Sequence, residues 1–179
     1  LEDQQLKGTD LLTRNDSKHP WPPFWQLAPQ ATNIQVTADG QLLAHRFVDG
    51  LLSLPQLSAD AEVLSLSWQA RFADPVPEQT VGIEDPSFGV RATIQEKGVF
   101  LSAQSGWLPT AEGYSATHRL TVIGPSGLIA VSNGRLLGIE HQGVQTISRW
   151  HNRIPQVRLA LAAGFWQLNQ SEQNNTQLV

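Results

Sequence analysis

One stretch of the sequence limits the fold more than any other. In Val63-Leu64-Ser65-Leu66-Ser67-Trp68-Gln69-Ala70-Arg71-Phe72 the large apolar side chains fall at every second position. A β-strand sends successive side chains to opposite faces, whereas a helix gathers residues three and four apart. Period two over this length therefore predicts a strand with one buried face, carrying Leu64, Leu66, Trp68, Ala70 and Phe72. The same rhythm recurs in shorter pieces. Ile34, Val36 and Ala38 alternate with polar neighbours up to Asp39-Gly40, a hairpin signal, and Leu42 to Phe47 reads as the return strand. A second such turn, Asp49-Gly50, precedes Leu51, Leu52 and Leu54.

Later segments follow suit. Val99 to Leu101, Thr117 to Ile123 and Leu128 to Val131 read as strands, with turns at Gly124-Pro125-Ser126-Gly127 and Ser132-Asn133-Gly134. Arg135 to Glu140, Gln142-Gly143 and Val144 to Trp150 form a further hairpin, and Pro155 separates it from a strand over Val157 to Trp166. Leu1 to Thr13 reads as a short strand pair or a fraying end. In Pro20-Trp21-Pro22-Pro23-Phe24-Trp25 the prolines exclude helix, and the aromatic rings read as a plug at one end of the core. No segment carries a capped helical pattern of a dozen residues. About nine or ten short strands, spaced roughly 8–12 residues apart, predict an all-β fold, an antiparallel β-sandwich. Residues 1–168 are expected to form one domain, because 179 residues are too few for two ordinary cores. Residues 169–179 are a polar, Asn/Gln-rich tail, either a hairpin loop or a linker toward a further segment.

Composition narrows the function classes. Twelve Lys and Arg against sixteen Asp and Glu give a net charge of −4, so the chain as a whole has no surplus with which to neutralise phosphates. With no Cys there are no disulfides, thiolate zinc sites or cysteine nucleophile. No run of 18 apolar residues is present to span a bilayer as a helix. The chain opens on Leu1-Glu2-Asp3 and contains no Met, which reads as an excised or processed piece.

Catalytic patterns are sparse. The five histidines, His19, His45, His118, His141 and His151, lack the H-E-x-x-H spacing that puts two imidazoles on one helix face, although His141 and His151 could meet across a hairpin. Gly124-Pro125-Ser126-Gly127-Leu128 misses the G-x-S-x-G elbow by one position. The acids Glu84-Asp85 and Glu112 sit in loops, where a carboxylate pair for hydrolysis would need a set separation that sequence does not give. Six Trp raise sugar stacking as an alternative, a free-standing carbohydrate- or ligand-binding module with Trp21, Trp25 and Trp107 as its platform.

Several short strings, in order, resemble one known family. Gly98-Val99-Phe100-Leu101-Ser102 followed by Trp107-Leu108-Pro109 resembles the Gly-apolar-Tyr/Phe-Leu-Ser…Trp-Tyr-Pro stretch of the amino-terminal domain of gluzincin aminopeptidases, the aminopeptidase N-like zinc metallopeptidases. Ala130-Val131-Ser132-Asn133-Gly134 resembles that domain's hairpin turn, and Thr146, Trp150 and Pro155 follow it. Leu159-Ala160-Leu161-Ala162-Ala163-Gly164-Phe165 resembles its closing Leu-Ala-Ala-Gly strand, and Leu6-Lys7-Gly8-Thr9-Asp10 its early strand.

The resemblance implies a saddle-like β domain packed on a thermolysin-like catalytic domain. The family's zinc motif and Gly-x-Met-Glu-Asn segment do not occur in this sequence. The implied role is thus a non-catalytic domain that helps shape the cleft of a zinc catalytic domain outside this chain. Zinc is expected only there, and peptide substrate only through the parent protein. In active members this domain lends a Gln or Glu that helps bind the substrate's free amino group. The corresponding place here reads Gln104-Ser105-Gly106-Trp107-Leu108-Pro109, not a residue-for-residue match, which leaves Gln104, Trp107 and Glu112 as candidates to face the substrate cleft. A cell-envelope or periplasmic location is compatible with the resemblance and with the lack of Cys.

Overall fold

The computed structural model describes residues 3–14, 20–76 and 89–167, together with the backbone of residues 171–173 and 176–178. Among these there is no helix, and all strand pairing is antiparallel. The first sheet is built on the sequence's strongest strand. β7 (Val63–Arg71) lies between β1 (Gln5–Thr13) and β3 (Thr32–Ala38), with β4 (Gln41–Leu42) beyond β3. Leu64, Leu66, Trp68 and Ala70 are all buried, and Phe72 continues the stripe. A second sheet has the order β2 (Phe24–Gln26), β6 (Leu51–Ser53), β5 (Arg46–Val48). A third runs β11 (Ile129–Ser132), β14 (Leu161–Gly164), β9 (Gly98–Leu101), β8 (Ala92–Gln95). One hydrophobic cluster joins these three sheets, with Val36, Leu52, Leu66, Ile94, Leu101, Leu128, Leu161 and three Trp in it.

The fourth sheet places β13 (Gln145–Gln156) between β10 (Ala116–Pro125) and β12 (Arg135–Gln142). Its inner face docks on β11: Trp150 Nε1 donates to the Ala130 carbonyl at 2.9 Å, and the Ala130 N–H donates to Ser148 Oγ at 3.1 Å. In the tail, β15 (Ser171–Gln173) and β16 (Thr176–Leu178) pair with each other as a short hairpin.

Four readings change. Leu42 to Phe47 is not one return strand: the chain leaves the first sheet after Leu42 and enters the second at Arg46. Both turns that bracket it form as expected, with positive φ at Asp39-Gly40 and Asp49-Gly50. Val157 to Trp166 shrinks to β14, with Val157 and Phe165 exposed at its flanks. Conversely β13 runs through Pro155 to Gln156, because the β10 register shifts between Ala116 and His118 and the proline sits where the ladder is already interrupted. The described residues hold sixteen strands where nine or ten were expected, since strands of two or three residues are too short for a period to show.

The amino-terminal strand carries one unusual arrangement. Leu6, Gly8, Asp10 and Leu12 face inward on β1, so a carboxyl group occupies a core-facing register position. Gly8 lies opposite Trp68, where a Cβ would overlap the indole ring. The ring therefore lies flat across β1, and its Nε1 donates to Asp10 Oδ2 at 2.8 Å. Burial pushes the Asp10 carboxyl up to about 6, against the opposing pull of the indole N–H.

Candidate functional site

Gln104 stands on the loop that links β9 to Trp107, and the loop's shape follows from its own bonds. Ser105 N–H and Oγ both donate to the Ser102 carbonyl, at 3.1 and 2.8 Å, closing a tight turn. Gly106 then takes φ +75°, and its carbonyl accepts from Ala28 N–H at 2.8 Å. A Cβ at Gly106 would lie 2.5 Å from the Ala28 nitrogen, so only glycine lets the loop approach this closely. Gln26 and Thr110 exchange backbone hydrogen bonds of 2.6 and 3.0 Å, fixing the other end. Leu27 N–H donates to the Gly50 carbonyl at 2.9 Å, which brings the β5–β6 turn alongside.

These three segments enclose an open depression of about 200 Å3 lined by Gln26, Asp49, Leu51, Gln104, Ser105 and Arg158, among others. Arg158 Nη2 reaches across to Gln26 Oε1 at 3.2 Å. The volume is below the roughly 300–1,000 Å3 of sites that enclose a whole small molecule, and suits a single residue or chain end instead. Amides, a carboxylate and a guanidinium meet there, so the surface can hydrogen-bond both an amine and a carbonyl. The Ser105 hydroxyl donates to a backbone carbonyl, and no imidazole is among the described residues that line the depression.

The other two sequence candidates lie apart from this surface. Trp107 is a core residue, 4% exposed, with Nε1 donating to the Leu159 carbonyl at 2.8 Å. Glu112 is exposed on the turn before Tyr114 and does not line the depression. Glu84 and Asp85 lie outside the described residues, as does His19. His141 and His151 do not meet. In the β12–β13 register His141 pairs with Thr146, whose hydroxyl its Nδ1 contacts at 3.1 Å, while His151 pairs with Arg135 at the far end. Among the described residues no group of three His, Asp or Glu is placed to hold a metal ion.

The tryptophan platform also dissolves on inspection. Trp25 and Trp107 are buried. Trp21 is half-buried, tilted 50° to Trp25, bonded through Nε1 to the Ala61 carbonyl and stacked under the Arg14 guanidinium. The rings are core and clasp, not a coplanar exposed face.

Asp49, Gln26 and Arg158 gave no sequence signal as site residues. Asp49 reads as a turn residue, and Arg158 lies 132 positions from the glutamine it bonds.

No protein-family profile and no curated protein matches the sequence. Solved structures do share its fold. The M1 zinc metallopeptidase of Deinococcus radiodurans superposes with TM-score 0.67 at 15% identity, over 98% of this chain and 42% of that one. Legionella pneumophila aminopeptidase A gives 0.63 at 13%, over 93% and 20%. An aminopeptidase N family protein of Idiomarina loihiensis gives 0.57 at 9%, over 98% and 29%. The all-β fold is thus one that forms part of M1 zinc metallopeptidases and aminopeptidase N family proteins. The chain spans less than half the length of each.

Proposed function

We propose that this chain is the non-catalytic amino-terminal β domain of an aminopeptidase N-like zinc metallopeptidase or an inactive relative. In that role it packs on a zinc catalytic domain and helps shape its substrate cleft. The observation that carries this reading is the superposition over 98% of the chain on only 42% of a zinc metallopeptidase. The strings around Gly98, Trp107, Asn133 and Gly164, in family order along a chain of that fold, support it. Within the domain, Gln104 is the residue proposed to face the cleft, because it is exposed, borne on a braced loop and flanked by Asp49 and Arg158. Trp107 serves the cleft by anchoring that loop from beneath, and Glu112 is held as a further candidate at its margin.

The test is enzymatic. The 179-residue chain, supplied with zinc, is expected to release nothing from aminoacyl-p-nitroanilides. A protein in which a zinc-motif segment follows it is expected to turn them over, with Gln104→Ala raising KM and leaving thermal stability within about 0.5 kcal/mol. Zinc-dependent turnover by the 179 residues alone refutes the reading.

A further inference from the structure

The depression beside Gln104 holds two opposite charges that do not meet. Asp49, on the β5–β6 turn, and Arg158, on the segment between β13 and β14, both line it and are both exposed. Among the described residues the Asp49 carboxylate has no hydrogen-bonding or ionic partner, and the Arg158 guanidinium has the neutral Gln26 amide alone. The backbone fixes where each side chain starts. Asp49 stands at φ +50°, and the Gly50 carbonyl behind it accepts from Leu27 N–H at 2.9 Å. A Cβ at Gly50 would lie 2.8 Å from the Leu27 carbonyl oxygen, so this turn is seated directly on the segment below it. On the other wall, Gln26 is held by its backbone exchange with Thr110, and Leu159, next to Arg158, is buried with its carbonyl bonded to Trp107.

That pair of charges selects the ligand. A simple anion drawn to Arg158 would meet the Asp49 carboxylate, and a simple cation drawn to Asp49 would meet the guanidinium. A molecule that carries both charges a few bonds apart satisfies both walls at once. An α-amino acid bears its ammonium and its carboxylate on one carbon, and the volume of about 200 Å3 suits one residue rather than a peptide. The rim supplies a third contact. Leu51 lines the depression, and the strand register sets Gln26, Leu51 and Val48 in one row on the outer face of the second sheet. Leu51 is 43% exposed and Val48 48%, so aliphatic surface begins where the charged groups end.

We propose that this depression binds a free α-amino acid with an apolar side chain. The ammonium is held by Asp49, the carboxylate by Arg158, and the side chain lies over Leu51 and Val48. Gln26 positions the guanidinium and leaves its other N–H groups to the ligand. All of these groups belong to the 179-residue chain, so binding needs neither zinc nor a second domain. The inference does not rest on the peptidase reading, and either can fail without the other.

Amide chemical shifts of the isotope-labelled full chain, titrated with L-leucine in the absence of zinc, test it. Saturable shifts centred on Asp49, Gly50, Ser105 and Gly106 are expected, with a Kd of about 1–10 mM. N-acetyl-leucine lacks the ammonium and leucinamide lacks the carboxylate, and each should bind about fivefold more weakly, the worth of one exposed ion pair. Glycine, without the side chain, should lose about threefold. Asp49→Asn, which tolerates the positive φ, should weaken leucine about fivefold and leave N-acetyl-leucine no weaker. Arg158→Gln should weaken leucine equally and leave leucinamide no weaker, whereas damage to the fold would weaken every ligand. Arg153→Gln, exposed on β13, should change nothing. Absence of saturable shifts at the depression, analogues that bind as well as leucine, or leucine binding that survives both variants overturns the proposal. Binding of inorganic phosphate as tight as that of leucine, lost in Arg158→Gln, overturns it in favour of a plain anion site.

Discussion

Replacing Asp10 by Asn is expected to stabilise the protein at neutral and alkaline pH. The carboxyl group accepts from the N–H of the Trp68 indole, whose ring fills the space that Gly8 leaves open, and burial raises its pKa from 3.8 to about 6. A raised carboxyl pKa means that folding favours the protonated form. The associated stability is fully present below the unfolded value near 3.8 and is lost as pH rises through about 6. Each pH unit between the two values is worth about 1.4 kcal/mol, so ionised Asp10 costs the fold up to about 3 kcal/mol. Roughly half of that appears between pH 5 and pH 8. An asparagine keeps the shape and an acceptor for the indole N–H but carries no charge. Urea unfolding followed by tryptophan fluorescence, on both proteins at half-unit pH steps, measures the difference directly and cancels the other carboxylates. Asp10→Asn should gain about 1–1.5 kcal/mol on the parent between pH 5 and pH 8, with the inflection near pH 6, which corresponds to roughly 2–6 °C in Tm. A gap that stays constant with pH, or that widens on acidification, refutes the claim that a desolvated carboxyl sits at this position.

Two further substitutions probe the braced loop. Gly106→Ala meets both a φ of +75° and the Ala28 backbone, neither of which can yield cheaply, and should cost about 1–3 kcal/mol in chemical denaturation. Trp107→Phe removes the donor to a buried carbonyl, Leu159 O, and part of a filled volume, for an expected loss of about 2–4 kcal/mol by the same measurement. Full stability in that variant would show that the indole is not the anchor of the Gln104 loop.

Long alternation marked the strand Val63–Arg71, and turn dipeptides demanding positive φ marked Asp39-Gly40 and Asp49-Gly50, whereas the alternation over Val157 to Trp166 overstated a strand that covers only Leu161–Gly164. Long, two-sided elements announce themselves because burial acts on every second residue. Short ones such as Gln41–Leu42 and Phe24–Gln26 do not, since two or three residues cannot display a period and their pairing partners lie elsewhere in the chain. The site divided along the same line. Gln104 was reachable through a string of neighbouring residues, and its flanking Asp49 and Arg158 were not. Trp107 shows the converse, because a motif marks a residue without telling whether its ring faces solvent or core.

Sequence alone therefore determined that the chain is β-structured, which faces of its long strands are apolar, where several hairpins turn, and which family its strings resemble. Local sterics and the two-residue period suffice for that, since both act between neighbours along the backbone. Tertiary structure decided everything that depends on distant segments being brought together. It put the Asp10 carboxyl on the Trp68 indole N–H, the Gly106 loop against Ala28, and Arg158 on Gln26. Each depends on strand register, and register is fixed by how whole faces pack, a property no single stretch of sequence contains.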